Sequence, residues 1–482
     1  MIDLRPVFFI IGVLLTILSA TMILPMIADI AAREEDWSVF AASAAVTLFV
    51  GVALVFTNRA DWATFNIRQA FAVTTFSWIA IALFGAVPLY FSGLGLTFTD
   101  AFFESMSGVT TTGSTVMVGL DYAPPGVLLW RSMMQWLGGI GIIVVAIGIL
   151  PMLSVGGMQM FRVEAFETEK VLPRAAQIAS GIAFIYLGLT AAIAFGYAQL
   201  GMGGFDAVNH AMTSIATGGY STRDASFGVW EDRPAIHWMA SLAMVAGALP
   251  FVLYLRAVRG NLLALIQDSQ VLWMFALLAI WIGLMFFYVA WTGQLPLLDA
   301  LRHTTFNVIS IMTGTGYAST DFGAWGGFVL VQMLILMVIG GCAGSTTCGI
   351  KVFRFQIVYA EAKVQARRLM FPNGVFIPYY NNRPIPEHVA QAVMGFVFVY
   401  VLSIAVLSLA LGMLGLDFIT AISGATTAIS NVGPGLGEII GPTGNFAPLP
   451  DLAKWLLSFG MLLGRLELFT VLILLSPAFW RG

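Results

Sequence analysis

In a chain of 482 residues, 59% are hydrophobic, only 10% are charged, and mean hydropathy is +0.90. A soluble domain carries about 25% charged residues, so this composition cannot cover a water-facing surface and indicates a membrane protein. The formal net charge is −3, with no basic stripe and no aromatic RNA-reading motif, which excludes nucleic acid as a partner.

A hydrocarbon core takes about 20 apolar helical residues to cross. In chain order, full-length spans are predicted near 7–29, 37–57, 69–92, 126–150, 177–199, 235–256, 270–292, 325–350, 389–414 and 452–476. The first lacks a cleavage signal and reads as a retained span rather than a signal peptide. Four shorter, half-polar segments lie between spans, at 100–109, 206–215, 299–311 and 417–429. With both termini cytoplasmic, the inner segments hold Arg5, Arg59, Arg68, Arg162, Lys170, Arg174, Arg256, Arg259, Lys351, Arg354, Lys363, Arg367, Arg368, Arg383 and Arg481. The outer segments hold only Arg33, Arg131, Arg223, Arg233, Arg302 and Lys454, a bias the positive-inside rule supports. Cys342 and Cys348 read as small buried residues among glycines.

The four short segments begin alike: "TDAFFESMSGVTTTG", "FDAVNHAMTSIATG", "LDALRHTTFNVISIMTGTG" and "LDFITAISGATTAISNVG". Each carries an Asp at its start (Asp100, Asp206, Asp299, Asp417), read as a helix N-cap. Each ends at a glycine: Gly113, Gly218, Gly316 and Gly433. Every unit is long span, short helix, Gly-bearing stretch, long span, so the repeats are parallel and form a pseudo-fourfold ring. The predicted fold is an all-α polytopic membrane protein. Two extra helices (1–60) precede pore repeats at 61–160, 161–262, 263–372 and 373–482.

A helix that stops inside a membrane needs its continuation buried or beside water. Thr-, Ser- and Gly-rich backbone offers carbonyls that replace the water around an alkali cation. Candidate filter residues are Thr111, Thr112 and Gly113; Ala216, Thr217 and Gly218; Gly314, Thr315 and Gly316; and Asn431, Val432 and Gly433. Gly314 competes with Gly316 for the third register. The helix C-termini, each about half a negative charge, favour a cation at the centre.

The last span carries Arg465 and Glu467, two apart on a predicted helix and so facing apart, each needing its own partner. Arg465 reads either as a barrier in the ion path or as a structural salt bridge. In "VIGGCAGSTTCGIKVFRF", Gly340, Gly341, Gly344, Ser345, Thr346, Thr347 and Gly349 cannot form a stiff helix. Residues 340–350 therefore read as a movable intramembrane loop or a packing kink, followed by Lys351. His210, His237, His303 and His388 are scattered and read as structural, and no nucleotide-binding or catalytic motif occurs, so the chain is not an enzyme.

The stretches "SGVTTTGST", "WLGGIGIIV", "TSIATGGYST", "MTGTGYAST", "GGCAGSTTCGIKVFR", "SNVGPGLG" and "GRLE" are similar to those of the TrkH family. That family groups potassium-uptake membrane subunits within the Trk/Ktr/HKT superfamily, and the resemblance covers essentially the whole chain. It implies K⁺ as the transported ion, favoured by glycine at all four filter positions, and no organic cofactor. It implies a multi-pass location in the bacterial inner membrane and a homodimer. It also implies a cytosolic Trk/Ktr-type regulatory subunit that binds NAD(H), ATP or ADP. It matches 340–350 to a gating loop and Arg465 to a pore arginine. A K⁺/H⁺ symporter on the same pore, or an ion-binding subunit of a K⁺-pumping complex, remain alternatives at this stage.

Overall fold

A computed structural model describes residues 2–59, 66–148, 171–381 and 383–481. The expected boundaries at 60 and 160, and the basic residues Arg162 and Lys170, lie outside those residues. The chain is all-α apart from a hairpin of two-residue strands, β1 (Tyr379–Tyr380) and β2 (Arg383–Pro384). Helices α1 (Arg5–Thr21), α2 (Ile23–Ala32) and α3 (Trp37–Thr57) precede four similar units. The first unit is α4 (Ile67–Phe91), α5 (Phe98–Val109) and α6 (Pro125–Gly148). The second is α7 (Val171–Gln199), α8 (Gly204–Ile215), α9 (Pro234–Ala248) and α10 (Phe251–Val258). The third is α11 (Ser269–Thr292), α12 (Leu297–Met312), α13 (Gly327–Ile339) and α14 (Val352–Met370). The fourth is α15 (Glu387–Met413), α16 (Phe418–Ser430), α17 (Asp451–Arg465) and α18 (Phe469–Leu472).

The short helices α5, α8, α12 and α16 each pack between the two spans of their own unit. Each second span also leans on the short helix of the next unit: α6 on α8, α9 on α12, α13 on α16, and α17 on α5. The chain of contacts closes on itself, which is the pseudo-fourfold ring. Glycine permits the approach in three units. A Cβ on Gly138 would strike the Val109 carbonyl, one on Gly247 the Ile215 carbonyl, and one on Gly464 the Ile429 carbonyl. α1 packs on α3 and α4, outside the ring.

Among the described residues, six helices are long and apolar enough to cross a membrane, or eight if each bent pair is one crossing. Three predicted full-length spans are broken. The span at 235–256 bends by 94° between α9 and α10, where Pro250 supplies no amide to continue the ladder. The span at 325–350 is helical only to Ile339. The span at 452–476 bends by 111° after Arg465, where Glu467 and Leu468 both take positive φ (58° and 52°). Glu467 is therefore not on the same helix as Arg465, contrary to the sequence expectation.

The four Asp residues are also corrected in part. Asp417 is a true N-cap, accepting from the Thr420 amide at 3.1 Å. Asp100, Asp206 and Asp299 stand in the first turn instead, after Thr97, Gly203 and Pro296 at the cap positions. Near the positive helix end their carboxylates also take cations: Lys454 at 2.6 Å, Arg223 at 2.8 Å and Arg302 at 3.0 Å, respectively.

Candidate ion pathway

All four short helices end in the same way. A left-handed residue follows the last turn: Thr111, Thr217, Gly314 and Asn431, with φ of 53°, 48°, 72° and 54°. Its amide donates three residues back, to the carbonyls of Gly108, Ser214, Ile311 and Ala428. The next amide, of Thr112, Gly218, Thr315 and Val432, donates five back, to Ser107, Thr213, Ser310 and Thr427. This is a Schellman closure in each unit. Two residues beyond the first left-handed position a second one follows: Gly113, Gly219, Gly316 and Gly433, with φ of 91°, 80°, 82° and 113°.

The shared backbone pattern fixes the register. Gly316, not Gly314, is the third-unit equivalent of Gly113. In the second unit the equivalent is Gly219. The sequence choice, Gly218, is one residue early and corresponds to Thr112. "ATGGY" offers two adjacent glycines, and only backbone conformation separates them.

The glycines also form a ring. A Cβ on Gly113 would collide with the Gly218 carbonyl, one on Gly219 with the Thr315 carbonyl, and one on Gly316 with the Val432 carbonyl. One on Gly433 would meet the Thr112 carbonyl at 2.9 Å, closing the circuit. The four glycines line one cleft. Two more bonds join the fourth unit to the first: Ser114 Oγ donates to Gly433 O at 2.7 Å, and Asn431 Nδ2 to Thr112 Oγ1 at 2.9 Å.

Sequence reasoning missed the groups that brace this ring. Gln135 on α6 donates to the Gly218 carbonyl and accepts from the Tyr220 amide at 3.0 Å, holding the second stretch from both sides. One turn earlier, Arg131 pairs with Glu104 at 2.8 Å, both fully buried. The Arg131 guanidinium also donates to Ser221 O (3.0 Å) and Thr115 Oγ1 (3.2 Å) and lies 4.1 Å from the Tyr220 ring centroid. Because Glu104 neutralises it, Arg131 fixes two stretches without placing an unpaired cation at the cleft. An Arg and a Gln four apart in an apolar span are the sequence signal, masked because Arg131 also reads as an outer topology charge.

Three of the four histidines are buried and hydrogen-bonded: His210 Nε2 bonds Ser221 Oγ at 3.0 Å. His303 Nδ1 bonds Ser319 Oγ at 2.8 Å, and His237 Nε2 bonds Phe227 O at 2.9 Å. These two rings and Glu231 come within 4.8 Å of one another, but Arg302 already fills the role of cation, bonding Glu231 and reaching His303 Nε2 at 3.1 Å.

Residues 340–350 form a buried, non-helical loop next to the broken second unit. The two breaks satisfy each other. Cys342 N donates to Ala248 O (3.1 Å), Thr346 N to Gly247 O (3.2 Å) and Phe251 N to Gly344 O (2.9 Å). Carbonyls released where α9 stops are thus taken by the loop, meeting the requirement that backbone at membrane depth be paired. Thr346 Oγ1 reaches the last carbonyl of α8, Ile215 O, at 3.1 Å and accepts from Thr217 Oγ1 at 3.1 Å. The loop therefore touches a candidate filter residue directly. Ser345 Oγ bonds Cys342 O at 2.6 Å and Thr347 Oγ1 at 2.8 Å, holding the turn. Both cysteines are free and buried.

Arg465 clasps this loop. It donates to Thr346 O (3.0 Å), Cys348 Sγ (3.1 Å) and Gly138 O (2.8 Å), and is 1% exposed. No carboxylate pairs with it among the described residues, so the expectation of a salt bridge is not met. Its charge is met instead by the Thr346 and Gly138 carbonyls and the Cys348 sulfur. Glu467 is committed elsewhere. It pairs with Lys351 at 3.1 Å and with Arg354, all three buried. Arg354 lies 3.7 Å from the Phe396 ring centroid. The triad ties the left-handed residue that ends the loop, Lys351 (φ 69°), to the left-handed break in the last span.

Four short helices that stop inside the bundle, a closed ring of glycine-bearing stretches and a buried loop beside them are the architecture of a multi-pass membrane protein. The cation-transport family model TrkH matches residues 37–481. The potassium uptake protein TrkI of Halomonas elongata is 46% identical, over 99% of this chain and 97% of its own. The potassium uptake protein TrkH of Escherichia coli K12 is 36% identical over 99% of each chain. The crystal structure of the potassium transporter TrkH from Vibrio parahaemolyticus superposes with a TM-score of 0.92, covering 100% of both chains at 34% identity. The chain belongs to the TrkH family.

The ring geometry predicts that Gly219→Ala lowers cation flux in sealed vesicles at least about tenfold below Gly218→Ala. The first needs a backbone carbonyl to move, whereas the second displaces the Gln135 side chain. Equal loss in both would contradict the assigned register. Glu467→Gln leaves two buried cations without a counter-charge. It should lower stability in detergent by about 3–5 kcal/mol, measured by thermal unfolding. Lys351→Gln, which keeps the Arg354–Glu467 pair, should lose less.

Proposed function

We propose that this chain carries K⁺ inward across the bacterial inner membrane through a gated filter of backbone carbonyls. The observation that carries the reading is the closed ring in which each unit's glycine meets the next unit's carbonyl. Backbone packed this tightly, on stretches that continue four helix C-termini, presents neutral oxygen ligands. These replace a cation's hydration without binding it so firmly that it cannot leave. Thr111, Thr112 and Gly113 supply the first stretch; Thr217, Gly218 and Gly219, with Ala216 just before them, the second; Gly314, Thr315 and Gly316 the third; and Asn431, Val432 and Gly433 the fourth. The relatives' names supply potassium as the ion. The four functional repeats take the boundaries read from the sequence.

Gating falls to residues 340–350 and Arg465. Loop and guanidinium are joined at Thr346 O, and Thr346 touches Thr217. This supports a closed path in which the loop blocks the way below the filter and Arg465 holds it there. Gly340, Gly344 and Gly349 take positive φ (75°, 74° and 82°), and a Cβ on Gly341 would meet the Thr347 side chain, so this loop conformation needs these small residues. The positive-inside bias supports cytoplasmic termini. A homodimer and a cytosolic nucleotide-binding regulatory subunit belong to the same proposal, on the strength of the family resemblance.

At an effective dielectric of about 20, an unpaired guanidinium beside the path raises the energy of a passing cation by on the order of 1 kcal/mol. Arg465→Ala should therefore raise steady-state K⁺ flux about tenfold in sealed vesicles, with Arg465→Lys nearer the parent. A well-folded Arg465→Ala protein with unchanged flux and unchanged selectivity would remove Arg465 from the pathway.

A further inference from the structure

We infer that the chain binds an anionic phospholipid at one defined place, with its headgroup between α11, α14 and the hairpin and its acyl chains along α11 and α13. Two adjoining cavities carry this. The first, about 340 Å³, is lined by Lys363, Arg367, Gln356 and Asn381 among others. The second, about 850 Å³, is an almost wholly apolar groove running past Leu277, Trp281, Val338 and Ile350. Trp273 and Tyr359 line both, with ring centroids 5.5 Å apart, so they form a shared wall where one cavity passes into the other. Both volumes lie in the range of about 300–1,000 Å³ usual for small-molecule sites.

The chemistry of the two compartments matches the two ends of a phospholipid. Trp273 stands about 6 Å, four residues, inside the start of α11, the depth at which an aromatic side chain marks the headgroup level. On the polar side, Lys363 and Arg367 are one turn apart on α14 and exposed. Neither has an ion-pair partner among the described residues. Two unpaired cations one turn apart suit a single phosphate. Gln356 adds a second observation. Its Nε2 donates to Ser269 O at 3.0 Å, which leaves Oε1 buried with no hydrogen-bond partner in the wall of the same cavity. A headgroup hydroxyl would satisfy that acceptor, so a glycerol-type anionic headgroup fits better than choline. On the apolar side, Val338 and Ile339 just before the 340–350 loop and Ile350 at its end line the groove wall. A bound acyl chain would therefore rest against the loop's anchors. The inference rests on membrane embedding and not on the proposed filter.

The test uses the full chain purified in detergent and supplied with equal phosphatidylglycerol and phosphatidylcholine. Native mass spectrometry should show phosphatidylglycerol retained on the order of tenfold over phosphatidylcholine, as two interfacial cations imply. Lys363→Ala with Arg367→Ala, both at exposed positions, should bring the ratio near unity without changing thermal stability. Phosphatidylglycerol with brominated chains should quench tryptophan fluorescence, and less so after Trp273→Phe and Trp281→Phe. Three outcomes would overturn the inference. One is equal retention of both lipids, or an unchanged ratio in the double variant. Another is displacement of the lipid by millimolar inorganic phosphate, which would mark a free-anion site. The third is disulfide crosslinking of cysteines placed at Ile335 and Val358 between two copies, with no lipid retained, which would mark the groove as a protein interface.

Discussion

At four points in this protein a glycine backbone lies against the carbonyl of a neighbouring unit with no space for a β-carbon. Gly113, Gly219, Gly316 and Gly433 each occupy such a place, and the partner carbonyl always belongs to the residue before the next unit's glycine. The constraint works in two directions. It excludes any other residue type, because the φ values are positive and the volume is filled. It also draws four helix C-termini together, so that about four half-charges of negative sign surround one small space. That is the setting in which we propose a cation is held. Arg465, also buried, has no carboxylate partner among the described residues.

The remaining architecture can be understood as support for that ring. Gln135 and the Arg131–Glu104 pair stiffen the first and second stretches from behind, while Asn431 and Ser114 tie the fourth to the first. Below the ring, three of the second spans do not run straight through. α9 stops before Pro250, α13 stops before the 340–350 loop, and α17 stops after Arg465. The broken ends of α9 and of the 340–350 loop bond one another through the Cys342, Thr346 and Phe251 amides.

Much of this was legible in the residues. Composition, ten apolar runs and four Gly-ended half-polar segments were enough for the parallel fourfold plan. The loop at 340–350 was visible because four glycines and three hydroxylated residues in eleven positions cannot sustain a helix. What was hidden depended on backbone conformation or on distant partners. "ATGGY" contains two glycines, and only the left-handed φ of the second assigns the register. Pro250 was overlooked inside an otherwise apolar run, so a 94° bend was read as a straight span. Glu467 was placed on a helix because "GRLELF" has no breaker. In the structure it lies past the helix end, paired with Lys351 and Arg354, more than a hundred residues earlier. Asp100, Asp206 and Asp299 each stand three residues past the cap position, in the first turn.

The most direct measurement is the position of a heavy alkali-like cation, Rb⁺ or Tl⁺, located by anomalous scattering in crystals of this protein. The account predicts density on the axis enclosed by the carbonyls of Thr112, Gly218, Thr315 and Val432, lost when Na⁺ replaces the heavy ion. Density confined to other sites, or none between those four carbonyls at saturating ion, would contradict it.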